Sequence, residues 1–454
     1  MQHAPTPQPR PARRHQPRRT GYLLAALALV AAQSAAAATY YVAPAGSDGN
    51  AGTQAAPFKS IAKAQSVAAA GDTVYLRGGN YIFTAAESAC ASRTAVVNAV
   101  TFSKSGSSGQ PIRYWAYAGE KPVFDFSRMT DDCRVKGFNV TASWVHLRGL
   151  EITGAPQQPT NQLNNESWGV WNSGSNNIFE RLDTHHHMGP GMFIAQGSNN
   201  LVLNVDSHHN YDPYSKSGNG QNADGFGVHI GANQPGNVLR GCRAWANTDD
   251  GYDLIQARSA VLIENSWAWS HGYLPGTTTP LAAGNGNGFK VGGFAGAYVA
   301  GAPQHTVRNS VAFNNKASGF YANHHPVANY YYNNTSIANG NDFNMLGVDA
   351  TGAAINLGIL RNNLAWQGTL VANVDGADVA NNSWNLTGVV SVTSADFRSV
   401  STSGWDAARQ ADGSLPVLPN FRLVAGSDLL DKGVNVGLPY TGSAPDLGAF
   451  EGGQ

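Results

Sequence analysis

One five-residue pattern occurs three times in this chain, as Asp224-Gly225-Phe226-Gly227-Val228, Asp250-Gly251-Tyr252-Asp253-Leu254 and Asn287-Gly288-Phe289-Lys290-Val291. Each copy reads polar residue, glycine, aromatic residue, variable residue, aliphatic residue. The three glycines are 26 and then 37 residues apart, which is typical of successive turns of a solenoid. Because equivalent positions of neighbouring turns stack about 4.8 Å apart, Asp224 is expected beside Asp250, and Asp253 beside Lys290.

A second repeated segment supports the same organisation. Its copies are Phe179–His185, Val202–His208, Leu239–Trp245, Ile263–Trp269, Val307–Phe313, Tyr332–Ala338 and Leu360–Trp366. The period is roughly 22 to 28 residues with insertions, and no amphipathic helix accompanies it. A propeller blade needs about 40 residues, and a sandwich would not keep glycine and aromatic residues in register. The sequence therefore predicts an all-β, right-handed parallel β-helix.

Segments near both ends of the repeats have the character of caps. Pro57–Ala70 has helical character and precedes the strand-like segment Thr73–Leu76, which predicts a short N-terminal capping helix. Pro445–Glu451 is expected to form a final strand that closes the other end.

The first 38 residues differ in composition from the rest of the chain. They carry five arginines and no acidic residue, and the apolar run Tyr22–Ala32 leads to small residues before Thr39. This predicts a signal peptide over residues 1–38 and a secreted protein with a single β-helix domain over residues 39–454. Arg18-Arg19 leaves both general and twin-arginine export open.

Charge and hydropathy limit the partners. Without the leader, 24 basic residues oppose 29 acidic ones, a net charge of −5. A mildly acidic secreted protein is a poor nucleic-acid binder. No later segment approaches the roughly 20 apolar residues that span a bilayer. Neither nucleic acid nor membrane is expected as a partner, and the protein is expected to be a monomer.

Cysteine usage fits an exported chain. Cys90 and Cys133 lie in irregular polar stretches and are the candidate disulfide pair. Cys242 occupies a repeat position that Ser266 and Ser310 fill elsewhere, which predicts a buried free thiol.

The residue after the aromatic position carries charge selectively. Through successive coils it is Phe193, Gly227, Asp253, Lys290 and Tyr321. If the aromatic residues face the core, the alternation of a strand turns Asp253 and Lys290 outward.

Four carboxylates could then converge from two coils. Asp249 shares the parity of Asp253, whereas Asp224 and Asp250 have core parity and need a bend at the following glycine to reach outside. An oxygen-only, multi-carboxylate set is what Ca²⁺ prefers. A single Asp-Gly pair is more often a turn residue, but the stacked copies favour a calcium site.

Lys290 has no basic neighbour in the sequence. A cation bound beside it would disfavour its ammonium form and lower its pKa toward that of a usable base. The alternative is a surface lysine paired with Asp253.

Three segments together resemble the family-9 polysaccharide lyases, which are secreted β-helix pectate lyases: Ala223–Phe226, Asp249–Asp253 and Gly286–Lys290. Tyr40–Pro44 and Pro57-Phe58 are also similar to that family. The resemblance implies that Asp224, Asp249, Asp250 and Asp253 bind calcium. It further implies that Lys290 abstracts the proton α to the uronate carboxyl group of polygalacturonate, in a β-elimination.

The sequence leaves other functions open. It departs from the family at Gly227–Ile230 and in the loops 211–222 and 272–286, which are expected to wall a cleft, so rhamnogalacturonan or alginate remain alternative substrates. A glycoside hydrolase would need two carboxylates that calcium binding consumes. In a non-catalytic carbohydrate-binding β-helix, calcium would only stiffen the coils.

Weaker signals come from histidines and scattered basic residues. The histidines could bind zinc, but stacking on the surface or in a turn is favoured; they are His185-His186-His187, His208-His209 and His324-His325. Four basic residues could bind substrate carboxylates or be solvated surface charges: Arg243, Arg258, Lys216 and Lys316. For Trp267 and Trp269, packing is favoured over sugar stacking for at least one.

Overall fold

Short parallel strands arranged in coils make up the chain between Thr39 and Ala380. This computed structural model describes residues 1–8, 37–84, 95–129, 133–157, 165–368, 371–386 and 391–452. Met1–Ala36 and Ala37–Gln454 are two separate units, and every described strand belongs to the second. The described part of the first unit, residues 1–8, has no regular secondary structure.

Successive coils add strands to three parallel sheets. The first sheet contains Thr39–Val42, Thr73–Leu76, Ile112–Ala116, Val145–Arg148, Ile178–Glu180, Leu201–Leu203, Asn237–Arg240, Val261–Glu264, Thr306–Arg308, Tyr330–Tyr332, Ile359–Arg361 and Asp378–Ala380. The second contains Gly79–Thr84, Pro122–Arg128, Glu151–Thr153, Asp183–His185, Asp206–His208, Arg243–Trp245, Trp267–Trp269, Val311–Phe313, Thr335–Ile337 and Leu364–Trp366. The third contains Val96–Phe102, Arg134–Val140, Trp168–Asn172, Met192–Ile194, Phe226–Val228, Tyr252–Asp253, Phe289–Lys290, Ser318–Tyr321, Asn341–Asn344 and Val371–Ala372. This is the predicted right-handed parallel β-helix.

Stacked side chains fill the interior of the helix. On the third sheet Phe226, Tyr252, Phe289 and Phe320 are at most 1% exposed. Their rings stack with centroids 4.9, 4.6 and 4.8 Å apart, because in-register parallel strands place equivalent residues one strand spacing apart. The predicted inward orientation of the aromatic position is confirmed.

Polar side chains complete the hydrogen bonding of the turns. The side-chain oxygen of Asn200 accepts from the backbone N–H of Asn177 at 3.0 Å, and that of Asn237 accepts from Asn200 at 3.1 Å. Such ladders satisfy buried backbone groups where the chain leaves one sheet for the next.

The N-terminal cap agrees with its prediction. Helix Ile61–Val67 begins after Ser60, whose side chain accepts a hydrogen bond from the Lys63 N–H at 3.0 Å. Ile61 and Ala64 are buried in the same apolar cluster as the first coils, so the helix covers their open core.

The predicted C-terminal strand is wrong. Residues 445–451 form no strand; they lie against the second sheet, where the Ala449 N–H donates to Thr335 Oγ1 at 2.9 Å. Part of the outer face of that sheet is apolar and includes Trp267 and Trp269, which are 3% and 8% exposed, so both tryptophans pack. Turns of the C-terminal segment cover this face without pairing to it, and their buried apolar residues are Phe397, Trp405, Phe421, Leu423, Leu429 and Leu447.

Smaller elements complete the description. One antiparallel pair joins Leu346–Val348 to Ala354–Asn356, and a 3-10 helix spans Ser394–Asp396. Cys242 is a buried free thiol, as predicted, and burial raises its pKa to about 12. Cys133 is disulfide-bonded, while its predicted partner Cys90 lies outside the described residues, as does most of the predicted signal peptide. Within the described ranges, no helix is long and apolar enough to cross a membrane.

Candidate active site and metal centre

One row of outward-facing positions on the third sheet carries the charged residues. Through paired strands it runs Trp171, Phe193, Gly227, Asp253, Lys290 and Tyr321. The predicted register of the variable position is therefore confirmed from Phe193 to Tyr321.

Three aspartates meet beside this row, in the turns that precede its strands. Asp224 lies before the strand Phe226–Val228, and Asp249 and Asp250 lie before Tyr252–Asp253. Carboxylate oxygens of the three residues lie within 4.8 Å of one another. All three side chains are buried, at 5%, 3% and 0% exposure respectively.

Each of these aspartates uses one oxygen to hold the backbone of the next coil. Asp224 Oδ1 accepts from the Asp250 N–H at 3.1 Å, and Asp249 Oδ1 accepts from the Asn285 N–H at 2.7 Å. Asp250 Oδ1 accepts from both the backbone and the side-chain nitrogen of Asn287, each at 2.8 Å. Among the described residues, the second oxygens of Asp224 and Asp249 accept no hydrogen bond, so these oxygens can ligate a cation.

The expected bend at glycine is confirmed, since the backbone bends at Gly225 and at Gly251, although neither glycine has a positive φ. Asp224 and Asp250 precede these bends and the first strand residue, so strand alternation does not govern their side chains. The glycines are also required by close packing. A β-carbon at Gly251 would lie 2.6 Å from the Gly288 carbonyl oxygen, closer than real contacts allow.

Lys290 lies between two carboxylates of the site. Its side chain is buried, and Nζ is 3.0 Å from both Asp250 Oδ2 and Asp253 Oδ2. Asp253 Oδ1 accepts the Ile255 N–H at 2.7 Å, and His229 Nε2 is 3.9 Å from Asp253 Oδ2. Asp253 thus pairs with Lys290 and lies outside the group of three whose oxygens fall within 4.8 Å.

Charge crowding shifts the pKa of each group at the site. Burial, reinforced by neighbouring carboxylates, raises the pKa values of Asp224 and Asp249 well above the usual range and also raises that of Asp250. Burial alone would lower the pKa of Lys290, but the surrounding aspartates raise it well above its usual value. The predicted lowering depends on a bound cation and stays a prediction, since the carboxylates alone shift the pKa in the opposite direction.

The donor set fits a hard divalent cation. The three converging groups are all carboxylates, and no nitrogen or sulfur donor belongs to the cluster. Oxygen ligands of this kind suit Ca²⁺ or Mg²⁺ rather than zinc or copper. Concentrating this many buried carboxylates is costly unless positive charge compensates them.

A groove of about 550 Å³ runs from this cluster along the third sheet. Both predicted loops contribute to its wall through their C-terminal ends, at Gln221 and Asn222 in the first loop and Asn285 in the second. The lining residues that were not predicted from the sequence include Lys136, Trp171 and His229. Trp171 pairs with Phe193, so extending the outward row by one coil beyond Phe193 would have found Trp171.

The four scattered basic residues do not line the groove. Arg243 is buried against Asp206 at 2.6 Å, and Arg258 lies over the Phe294 ring at 5.4 Å. Lys316 donates to the carbonyl oxygens of Leu281 and Gly284 and so holds the second loop, while Lys216 is exposed.

His185 and His208 stack on the outer face of the second sheet. His187 is instead buried, with Nε2 2.9 Å from Thr184 Oγ1, and His325 stacks on the Phe294 ring at 5.7 Å. The His185 and His208 rings are 4.8 Å apart, and His208 lies 4.0 Å from the Trp245 ring. Asp183, His185 and His208 have donor atoms within 4.8 Å of one another. Parallel stacked rings direct their in-plane lone pairs side by side rather than at one point, so the favoured interpretation as stacking holds.

Comparison with known proteins agrees with this architecture. Residues 40–363 match the family described as Pel9A-like, right handed beta helix region. Pectate lyase L of Dickeya chrysanthemi is 36% identical over 419 residues, which cover 91% of this chain and 90% of that protein. The crystal structure of pectate lyase Pel9A has a TM-score of 0.76 at 36% identity, covering 91% of this chain and 96% of that one. A structure of a rhamnogalacturonan lyase has a TM-score of 0.78 at 36% identity, covering 85% and 96%.

These matches define a polysaccharide lyase built on a parallel β-helix, a carbon–oxygen lyase of the pectate-lyase type. The chain belongs to the Pel9A-like right-handed β-helix family, which confirms the family resemblance of its sequence.

Proposed function

We propose that the protein is a Ca²⁺-dependent lyase that cleaves polygalacturonate by β-elimination, with Lys290 as the base. The observation that carries the proposal is the position of Lys290. Its Nζ lies in a groove, 3.0 Å from Asp250 Oδ2, and Asp250 belongs to the three-carboxylate cluster. The names of the relatives support the same substrate.

The residues divide the chemistry between them. Asp224, Asp249 and Asp250 would hold the ion, with Asp253 completing the predicted set. Ca²⁺, when bound, supplies Lewis-acid stabilisation of the charge that develops on the uronate carboxylate. Lys290, once neutral, takes the proton from C5, whose electron pair forms the C4–C5 double bond while the C4–O bond breaks. The leaving oxygen is protonated from solvent.

Asp250 and Asp253 position the base. Each places a carboxylate oxygen 3.0 Å from Nζ, and this fixes the direction of a long side chain that is otherwise free to rotate. Because Asp253 Oδ1 accepts the Ile255 N–H, the Asp253 side chain is held in place, and its Oδ2 keeps a fixed position beside Nζ.

The test is a pair of lysine variants assayed on polygalacturonate with and without a chelator. Ultraviolet absorbance follows the unsaturated uronide that only β-elimination produces. We expect Lys290→Ala to abolish the absorbance change and the exposed control Lys432→Ala to retain it. An active Lys290→Ala protein would disprove the assignment, reducing ends without absorbance would indicate hydrolysis, and undiminished activity in chelator would remove calcium from the mechanism.

Rhamnogalacturonan is the second candidate substrate. The similarity to a rhamnogalacturonan lyase has the same 36% identity as that to pectate lyase Pel9A. The same absorbance assay on both polymers decides between them, because each elimination gives an unsaturated uronide and only the accepted polymer will react.

We further propose that residues 1–38 are removed on export and that the enzyme acts outside the cell as a monomer. N-terminal sequencing of the secreted protein should begin at Thr39, and size-exclusion chromatography with light scattering should give the mass of one chain. A retained leader or a dimer mass would contradict these proposals.

A further inference from the structure

An aromatic surface continues the groove beyond the charged residues. The Trp171 and Phe193 rings stack with centroids 4.9 Å apart and planes at 22°, and His229 meets the Phe193 ring edge-on at 4.7 Å. Gly227 makes room for this arrangement, because a β-carbon there would lie 2.5 Å from the Phe193 ring. All three side chains are only partly buried, so the surface is open to a ligand in the groove.

A lysine that has no counter-charge among the described residues lies at this surface. Lys136 Nζ is 3.8 Å from the centre of the Trp171 ring. No described residue forms an ion pair or hydrogen bond with it, and burial, reinforced by Arg134, lowers its pKa. Arg134 differs, because Glu166 binds its guanidinium at 2.7 Å.

The aromatic surface is well separated from the reacting bond. Trp171 is four strand steps from Lys290 along the outward row, which at about 4.8 Å a step is roughly 19 Å. Both lie in the same groove, since Lys136, Trp171, Phe193 and Lys290 all line it. A polymer bound along the row can therefore reach both places at once.

We propose that Lys136 and the Trp171–Phe193 surface form a distal subsite that binds one uronate residue of the polysaccharide. The sugar ring packs on the aromatic surface, and Lys136 leaves its position over Trp171 to bind the carboxylate. The subsite proposal rests on the proposed function in one respect, that the substrate is an acidic polysaccharide.

The chemistry of the surface favours such a ligand. A partly buried ammonium without a counter-charge gains from an anion more than a solvated lysine does, because its hydration is already reduced. Pyranose rings present C–H groups that pack on aromatic faces, as apolar surface does generally. One subsite then binds both the ring and the carboxylate of a uronate. A neutral sugar makes only the ring contact and should bind more weakly.

The subsite predicts a dependence on chain length. An oligosaccharide that occupies only the groove near Lys290 cannot contact Lys136, whereas one that spans roughly 19 Å can contact both. Affinity should therefore rise in a step at the length that reaches Trp171. Removing the ammonium should weaken the longer ligands by about tenfold, the factor expected for losing one charge-assisted hydrogen bond.

Calorimetric titration in the Lys290→Ala background, which prevents turnover, tests the proposal. The ligands are oligogalacturonates of defined and increasing length, with calcium present throughout. Lys136→Gln should lower the affinity for long oligomers about tenfold and reduce the length step to the contribution of ring packing, and Trp171→Leu should lower the affinity for long oligomers as well. Lys136→Arg, which keeps the charge, should retain the step, and the exposed Lys432→Gln serves as the matched control.

The outcomes separate this proposal from the proposed function. Equal affinities with and without the Lys136→Gln substitution at every ligand length, or no length step in the Lys290→Ala background, would overturn the subsite. Lys136-dependent binding together with a wild-type protein that shows no elimination would leave the subsite and overturn the lyase mechanism. Because Lys136→Gln could disturb the Trp171 ring, its thermal unfolding is compared with that of Lys136→Arg; if both unfold alike and only Lys136→Gln binds weakly, the charge is responsible.

Discussion

The substitution Asp224→Asn should have opposite effects on stability with and without calcium. Asp224 is buried, and among the described residues its side chain accepts one hydrogen bond, from the Asp250 N–H to Oδ1 at 3.1 Å. Asparagine keeps that acceptor oxygen and the shape of the side chain while removing one negative charge. The variant therefore separates the charge of the residue from its packing.

The pKa shift gives the sign in the calcium-free protein. Burial, followed by the charges of Asp253 and Asp250, raises the pKa of Asp224 well above its ordinary value of 3.8. A raised folded-state pKa contributes stability that is fully present below 3.8 and is lost as the pH rises through the folded value. At pH 8 the variant avoids that loss, so without calcium it should unfold at a higher temperature than the wild type.

Calcium should reverse the order. A ligand at 100 times its dissociation constant stabilises the folded state by about 2.7 kcal/mol, and Asp224→Asn removes one charged oxygen ligand from the site. The wild type should gain most of that stabilisation and the variant little of it. The expected signature is a crossing: the variant is more stable in chelator, and the wild type is more stable in calcium.

Differential scanning calorimetry at pH 8 after chelation, with and without added calcium, measures both effects. Asp375→Asn, at an exposed carboxylate, is the control and should respond to calcium as the wild type does. The reasoning fails if calcium leaves the unfolding temperature of the wild type unchanged, or if Asp224→Asn gains as much from calcium as the wild type.

Two further substitutions test the scaffold. Gly251→Ala should cost about 1–3 kcal/mol of stability through overpacking, since its β-carbon would lie 2.6 Å from a backbone oxygen; Gly426→Ala, where nothing lies within 4 Å, should unfold like the wild type in urea. Asp206→Asn should cost about 3–5 kcal/mol, because Asp206 binds Arg243 and Arg409 at 2.6 Å each and joins the C-terminal segment to the second sheet. Faster proteolysis of that segment would report the loss, and unchanged urea midpoints would contradict either argument.

The repeating part of the fold could be predicted because a solenoid turns sequence spacing into spatial contact. Each coil touches only its neighbours, so aligning two copies also places their residues side by side, as with Asp253 and Lys290. The alignment is wrong by one residue in the copy assigned to Tyr332–Ala338, because Val307 pairs with Tyr331. Three consecutive tyrosines at 330–332 make the two registers look alike in the sequence.

Features outside the repeat could not be predicted in the same way. The C-terminal segment packs on an apolar surface that forms only when tryptophans of separate coils stack. No strand pattern in the sequence predicts that contact. Lys136 was missed for a similar reason, since its position over Trp171 depends on a side chain reaching across a neighbouring coil. Asp253 likewise uses one oxygen for the Ile255 N–H and the other for Lys290, and sequence spacing predicts only the second of these contacts.

Asp250 links the metal cluster to the base. Its Oδ2 lies 3.0 Å from Lys290 Nζ, and the same residue belongs to the group of three carboxylates, so a bound cation and the lysine ammonium compete for one side chain. We therefore expect Lys290→Met to bind calcium about tenfold more tightly than the wild type in calorimetric titration, and Lys290→Arg, which keeps the charge, to bind like the wild type. Coupling between the two sites is reciprocal. If the ammonium weakens calcium binding by a given factor, bound calcium weakens protonation of Lys290 by the same factor, and each factor of ten lowers the lysine pKa by one unit. The ratio of the two affinities thus measures the predicted lowering of the Lys290 pKa, and equal affinities would mean that calcium alone does not make this lysine a base.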